Sequence, residues 1–474
     1  MLAQLKRFAG DSLIYALMSV GTKIIAFIMT PFYSKALTQD EFGALGVIDS
    51  TLSIISFLVI FGTDSALAYY YMEAKDLKKK EAYVRNVMTF RLLVAGVMTV
   101  VFILFGEQLS DIVANSPSFY FALQISMITI ILDTINVLIL TVLRFDFQSS
   151  RVAVLTFTKI ALIAAFAYLY LTYVDQSLNG LMYSRLLSAL LILVFTFSEV
   201  WKYVRPQIDL SIWKEILIYA TPLVPASLAF WIINSSNRYI VFLFESKAAA
   251  TSVNAHLVPI FAFASVVTLF TYGIQMAWRP YSMKLKDRED AKELFAKVYV
   301  VILALGLLAV IVITTVSPWL MSFADPEYWD GYKYIGFFSL AGFLNFFYLI
   351  VTVGMFIQKK TGKVTTAFLI ASVLNLVLNL LLYPNFKIWG FVISNNITYL
   401  FVLLYLYRYS QSIYQVPAKT GKLGFMLLQA VLTIGAITYI QTNDLPWFWI
   451  VLSWLYFLGS LLLIRIDRDL RIKA

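Results

Sequence analysis

The 474-residue chain is 61% hydrophobic and 14% charged, against about 45–50% and about 25% in a soluble domain, so its solvent is mostly lipid and its expected fold is an all-α integral membrane protein. With no Cys and one His (His256), it excludes disulfides, thiol nucleophiles, Cys- or His-built metal centres and His triads. The net charge of +10 therefore raises a question of membrane sidedness rather than of nucleic acid.

Apolar runs of about 20 residues, the length a helix needs to cross hydrocarbon, recur at 13–34, 46–71, 87–106, 119–143, 152–173, 180–203, 216–244, 257–282, 295–317, 335–357, 364–383, 388–407, 423–441 and 446–464. These runs are too long for barrel strands and do not alternate with period 2. The start, MLAQLKRFAG, lacks signal-peptide architecture with a cleavage site, so the first span is expected to be retained.

Ionisable groups inside a span cost about 2.5–3.5 kcal/mol each on insertion scales, so each needs a reason. Span 1 carries Tyr15, Lys23 and Pro31. Lys23 lies about 15 Å from the span's start at about 1.5 Å per residue, too deep for easy snorkelling. It is expected either to pair with Asp64 or Asp133 or to face a cavity. Asp49 and Asp64 in span 2 and Asp133 in span 4 are candidate ion-coupling carboxylates or counter-charges. Arg91, Arg144 and Arg279 flank the inner surface, where headgroup contact is expected. Lys159 enters span 5 by two turns, and Arg185 lies near the outer end of span 6, where snorkelling is expected. Span 7 opens with Thr221-Pro222-Leu223-Val224-Pro225, which removes two backbone donors and must kink or break the helix. Trp231, Asn234, Asn237 and Arg238 follow.

Charge asymmetry orients the chain. With the N-terminus inside, 30 of the 37 basic residues fall in inside segments; only Lys35, Lys247, Lys333 and Lys387 fall outside, and Lys23, Arg185 and Arg238 lie within spans. The alternation predicts an even number of spans with both termini cytoplasmic. The longest outside segment, 318–334, is too short for a folded domain, and no G-x-x-x-x-G-K-[ST], H-E-x-x-H or G-x-S-x-G motif occurs. No enzymatic activity and no cofactor or metal are expected. Polar breaks after spans 1 and 7 and basic loops after spans 2 and 8 suggest parallel halves, a transporter architecture. The expected lobes are 1–204 and 205–408, with 409–474 forming two further spans and a tail.

Several stretches carry a resemblance. Ala36-Leu37-Thr38-Gln39-Asp40-Glu41-Phe42-Gly43 follows span 1, and Phe61-Gly62-Thr63-Asp64-Ser65-Ala66 leads to Tyr69-Tyr70-Tyr71. Pro222, Pro225 and Asn234-Ser235-Ser236-Asn237-Arg238-Tyr239 mark span 7, and Ala277-Trp278-Arg279-Pro280-Tyr281 ends span 8. Lys359-Lys360-Thr361 precedes span 11, and Asn375 and Asn379 lead to Pro384 and Gly390. In order and spacing these resemble the Wzx-like oligosaccharide and polysaccharide flippases of the multidrug/oligosaccharidyl-lipid/polysaccharide exporter (MOP) superfamily. The chain departs from that pattern at Asn237, where an acid is frequent. It departs again at Lys387, where glycine is usual, and at Phe391-Val392, where Ala-Ala follows the glycine.

The resemblance implies two six-helix lobes in a V around a central cationic cavity, as in MATE transporters. It further implies export of undecaprenyl-diphosphate-linked oligosaccharide repeat units from the inner to the outer leaflet of a bacterial cytoplasmic membrane, for surface polysaccharide. Implied partners are the lipid-linked oligosaccharide, membrane lipids and the polysaccharide polymerase machinery; nucleic acid is not one. Lys23 and Arg238 are the foremost candidates to meet diphosphate, with Lys159 and Arg185 as further cations. Tyr15, Trp231, Asn234 and Asn237 are candidates to meet sugar. A drug or cation antiporter built on Asp49, Asp64 and Asp133 is the alternative, and a membrane polymerase or ligase a more distant one.

Overall fold

The computed structural model describes residues 21, 24–25, 27–358 and 360–464. Among these the chain is helical, with short 3-10 and π turns and no strand. Eleven helices are long and apolar enough to cross a membrane, or up to twelve if the bent pair Lys247–Ala264 and Val267–Gln275, which turns through 44°, is one span. Among the described residues the expected fourteen are not reached. Half of the first predicted span lies outside the described residues, and the last is the 16-residue helix Phe448–Leu463. At about 1.5 Å per residue it measures about 24 Å, short of a hydrocarbon core about 30 Å thick.

The described residues fall into two compact units: 32–255 with 21 and 24–25, and 256–464 with 27–31. In the first unit we label α1 (Gln39–Ile60), α2 (Thr63–Glu73), α3 (Leu77–Leu104), α4 (Tyr120–Phe145), α5 (Ser149–Leu169), α6 (Leu178–Phe195), α7 (Leu210–Ala220) and α8 (Val224–Phe244). Helix α4 packs against α3 and α6, and α8 against α1.

The segment Leu37–Gly43 is a joint. Thr38 caps α1, and Glu41 closes a capping box with it, satisfying two of the helix's orphan donors. The other Glu41 carboxylate oxygen accepts the Leu178 N–H at 2.9 Å, tying the start of α6 to the same corner. A Cβ at position 43 would lie 2.4 Å from the Thr251 carbonyl oxygen, so glycine admits the close approach of two backbones.

The stretch Phe61–Asp64 is a break. Phe61 (φ 48°) and Gly62 (φ 70°) are both left-handed and separate α1 from α2. Span 7 breaks too, as its prolines predict: the 3-10 turn Thr221–Leu223 separates α7 from α8. The two breaks touch, with a Cβ at Gly62 predicted 3.0 Å from the Ala220 carbonyl oxygen.

In the second unit, helices Gly362–Phe386 and Ile388–Ile413 pack together around a buried amide ladder. Asn379 Nδ2 donates to Asn375 Oδ1 at 2.9 Å, and Asn375 Nδ2 donates to Asn395 Oδ1 and Thr398 Oγ1 at 3.3 and 3.2 Å. Interhelical hydrogen bonds of this kind hold helices where lipid removes the hydrophobic drive. Lys387 joins the two helices with φ 51° and ψ −130°, a conformation suited to glycine. Lys387 is therefore a strained position, its ammonium 5.7 Å from the Tyr383 ring centre.

Candidate functional site: a paired-charge cavity in the first unit

Two polar stripes and two single cations from four helices meet inside the first unit. On α1, Asp49, Ser53 and Ser56 recur at i, i+4 and i+7; on α4, Ser126, Thr129 and Asp133 recur at i, i+3 and i+7. These spacings place each set on one helix face. Helix α5 adds Lys159 and α6 adds Arg185. Together they line a cavity of about 310 Å³. Its apolar walls include Leu52, Ile130, Ile163 and Met182.

Two ion pairs cross this cavity. Arg185 grips Asp49 with both ends of its fork, Nη1 to Oδ1 at 2.5 Å and Nη2 to Oδ2 at 3.2 Å. Lys159 Nζ donates to Asp133 Oδ1 at 2.6 Å. The side chains keep part of their surface open: 23% for Arg185 and 45% for Asp49, 20% for Lys159 and 38% for Asp133. Arg185 therefore does not snorkel, as its place near a helix end suggested; it reaches a carboxylate 136 residues away. Two cations are each balanced by one acid, which lowers the cost of carrying charge within a span.

The other predicted residues are placed differently. Asp64 meets Arg91, whose side chain is fully buried: Nη2 donates to Asp64 Oδ1 at 2.7 Å, and Nε and Nη2 both donate to Thr63 Oγ1, at 2.8 and 2.7 Å. Arg91 is thus not a headgroup contact. It pins the first turn of α2 just beyond the break. Trp231 Nε1 donates to the Ser50 carbonyl at 2.9 Å, and the hydroxyls of Tyr239 and Thr51 are 2.7 Å apart; both lock α8 onto α1. Asn234 Nδ2 donates to the Phe230 carbonyl of its own helix. Arg238 and Asn237 are buried. Arg238 Nη1 donates to the Asn254 carbonyl at 3.4 Å, and Asn254 Nδ2 donates back to the Arg238 carbonyl at 3.1 Å. The structure therefore brings together Asp49, Asp133, Lys159 and Arg185, and the cavity they line does not include Asp64, Trp231, Asn234, Asn237 or Arg238. Lys23 and Tyr15 lie outside the described residues. Among the described residues, no group of three or more His, Cys, Asp or Glu is placed to hold a metal.

Sequence reasoning missed Ser53, Ser56, Ser126 and Thr129 as cavity lining. The signal was present, because each shares helical spacing with an acid inside a predicted span.

The fold is the one that solved flippases and transporters of the MOP superfamily have, as the resemblance implied. Residues 32–255 match the family model described as "Polysaccharide biosynthesis protein". Among solved structures, the chain is similar to a lipid II flippase MurJ in an inward closed conformation, with 13% identity, a TM-score of 0.73, and 95% of this chain and 99% of that chain covered. It is similar to an inward-facing multidrug resistance MATE family transporter at 16% identity and TM-score 0.58, covering 85% and 96%. A MOP superfamily transporter from Pyrococcus furiosus, described as having reverse polarity of its binding pocket, matches at 15% identity and TM-score 0.53, covering 86% and 96%. The comparison with curated proteins found no match.

Proposed function

We propose that this protein is a flippase that moves undecaprenyl-diphosphate-linked oligosaccharide repeat units from the inner to the outer leaflet of a bacterial cytoplasmic membrane by alternating access. In this reading both termini are cytoplasmic, the lobes are 1–204 and 205–408, and the surface-polysaccharide polymerase machinery takes the product. The observation that carries the proposal is the cavity in which Lys159 and Arg185, both inside membrane-length helices, keep about a fifth of their surface open. The polysaccharide family match over the unit that contains it supports the same reading.

The chemistry follows from the substrate. A diphosphate with sugars cannot enter hydrocarbon without losing hydration. A polar cavity replaces that hydration while the polyprenyl tail stays in lipid. Asp49 and Asp133 hold the two cations in the resting state, and the diphosphate oxygens take over those hydrogen bonds when substrate enters. Arg favours a bidentate grip on phosphate and Lys a point contact. Lys23 is a third candidate phosphate contact, and Tyr15 a candidate sugar contact. Trp231 holds α8 to α1 and Arg238 holds it to Asn254 beside the route, and Asn234 and Asn237 remain candidate sugar contacts. Outward movement of an anion follows the membrane potential, worth about 2.3 kcal/mol per charge per 100 mV, so no nucleotide is needed.

A drug or cation antiporter is the second reading, favoured by the exposed faces of Asp49 and Asp133. Their pairing with Arg185 and Lys159 leaves the cavity without net negative charge, which disfavours a cationic cargo. A deletion strain separates the two. The flippase reading expects accumulated carrier-linked glycan, lost surface polymer and unchanged drug susceptibility. Raised drug susceptibility with normal polymer would overturn it.

A further inference from the structure

A second polar-aromatic cluster lies at the other end of α2, beside the lysine-rich segment Lys75–Lys80, and the cavity does not use it. On α2, Tyr69 and Glu73 share a face at i and i+4; on α7, Glu215 and Tyr219 do the same. Helices α2 and α7 pack together, which stacks Tyr69 on Tyr219 with ring centres 5.6 Å apart and planes at 22°. Behind them Tyr70 stacks on Tyr83 at 5.3 Å and 15°. Tyr70 meets Tyr69 edge-on at 5.1 Å, so the four rings are continuous. The Tyr83 hydroxyl donates to Glu215 Oε2 at 2.7 Å and the Tyr70 hydroxyl to the Glu215 carbonyl at 3.3 Å. Tyr69 and Tyr219 are 51% and 41% exposed.

Interfacial tyrosines that anchor a protein in lipid sit at the headgroup level, and nothing in that role calls for ring-on-ring stacking. Here the rings stack on one another, and Glu215 accepts from two of their hydroxyls, Tyr83 at its carboxylate and Tyr70 at its backbone carbonyl. Glu73 and Glu215 are exposed beside the rings. Flat ring faces next to carboxylate oxygens are the complement of a sugar, whose C–H face stacks and whose hydroxyls donate. The neighbouring Lys75, Lys78 and Lys79 are exposed and within reach of an anion attached to that sugar.

We propose that Tyr69, Tyr219 and Glu215 form a saccharide-binding subsite that receives the glycan of the lipid-linked substrate before it enters the cavity. This rests on the flippase reading above. Its position suits loading. The helices α2 and α7 that carry it are each separated from the rest of their span by a break, and those breaks touch at Gly62 and Ala220.

The test is equilibrium binding in lipid nanodiscs of two probes: the carrier-linked oligosaccharide, and undecaprenyl diphosphate without sugar. The wild type is expected to bind the glycosylated probe at least tenfold tighter. A Tyr69→Ala/Tyr219→Ala variant is expected to lose that margin while keeping its affinity for the sugar-free probe. Tyr69→Trp/Tyr219→Trp, which keeps the stacking faces, is expected to restore it. Equal affinity of the wild type for the two probes, an unchanged margin in the alanine variant, or a parallel loss for both probes would overturn the subsite and leave the flippase reading standing. A wild type that binds neither probe would overturn both.

Discussion

The first unit holds two kinds of intramembrane ion pair, and they differ in what surrounds them. Arg91 is fully buried and spends three donated hydrogen bonds on Thr63 and Asp64 at the start of α2. Arg185 and Lys159 each have one acid partner, in a cavity that leaves both members partly open. The first arrangement has the signature of a fixed joint, because a buried charge that loses its partner is costly. The second leaves room for its partners to exchange, because both members keep part of their surface open. Charge depth in a span is the same kind of observation in both cases; accessibility separates joint from site.

Substitutions read in detergent by thermal unfolding can break this contrast. Arg91→Leu is expected to cost about 3 kcal/mol, in line with the loss of one partner from a buried pair; a change below about 1 kcal/mol would mean the joint is not fixed. Asp64→Asn should cost about 2 kcal/mol, since the guanidinium keeps Thr63 but loses its charged partner. Lys387→Gly supplies a reference outside the first unit. Relief of its glycine-type backbone should raise stability by about 1 kcal/mol, which shows that the assay resolves a shift of that size. Arg185→Gln and Lys159→Gln should each shift stability by less than about 1 kcal/mol, as for other partly exposed pairs. A loss as large as that of Arg91→Leu would place the cavity pairs among the joints.

Much of the fold was legible in the sequence because hydrocarbon imposes a simple rule on length and polarity. Twelve of the predicted spans, the second to the thirteenth, coincide with helices or with the bent pair. The break in span 7 followed from Pro222 and Pro225. The bend at Ser265–Val266 did not, because neither residue breaks a helix by itself. The family-like stretch Leu37–Gly43 was visible as a pattern, but its role as cap and backbone joint needed Thr251 and Leu178, which come from distant parts of the chain. The candidate site was half legible. Asp49, Asp133, Lys159 and Arg185 were all singled out as charges in spans. Their pairing was not, because Arg185 near a helix end looks like a snorkelling residue until α1 is seen beside it. The depth that singled out Arg238 proved to belong to its contact with Asn254.

The most direct test is flipping in reconstituted vesicles, read as the rate at which a carrier-linked oligosaccharide placed in one leaflet becomes accessible to an impermeant reagent on the other side. The account predicts that Lys159→Gln/Arg185→Gln, folded and as stable as the wild type to within about 1 kcal/mol, flips at least tenfold more slowly. Wild-type flipping by that stable double variant would contradict the central claim that this cavity carries the headgroup.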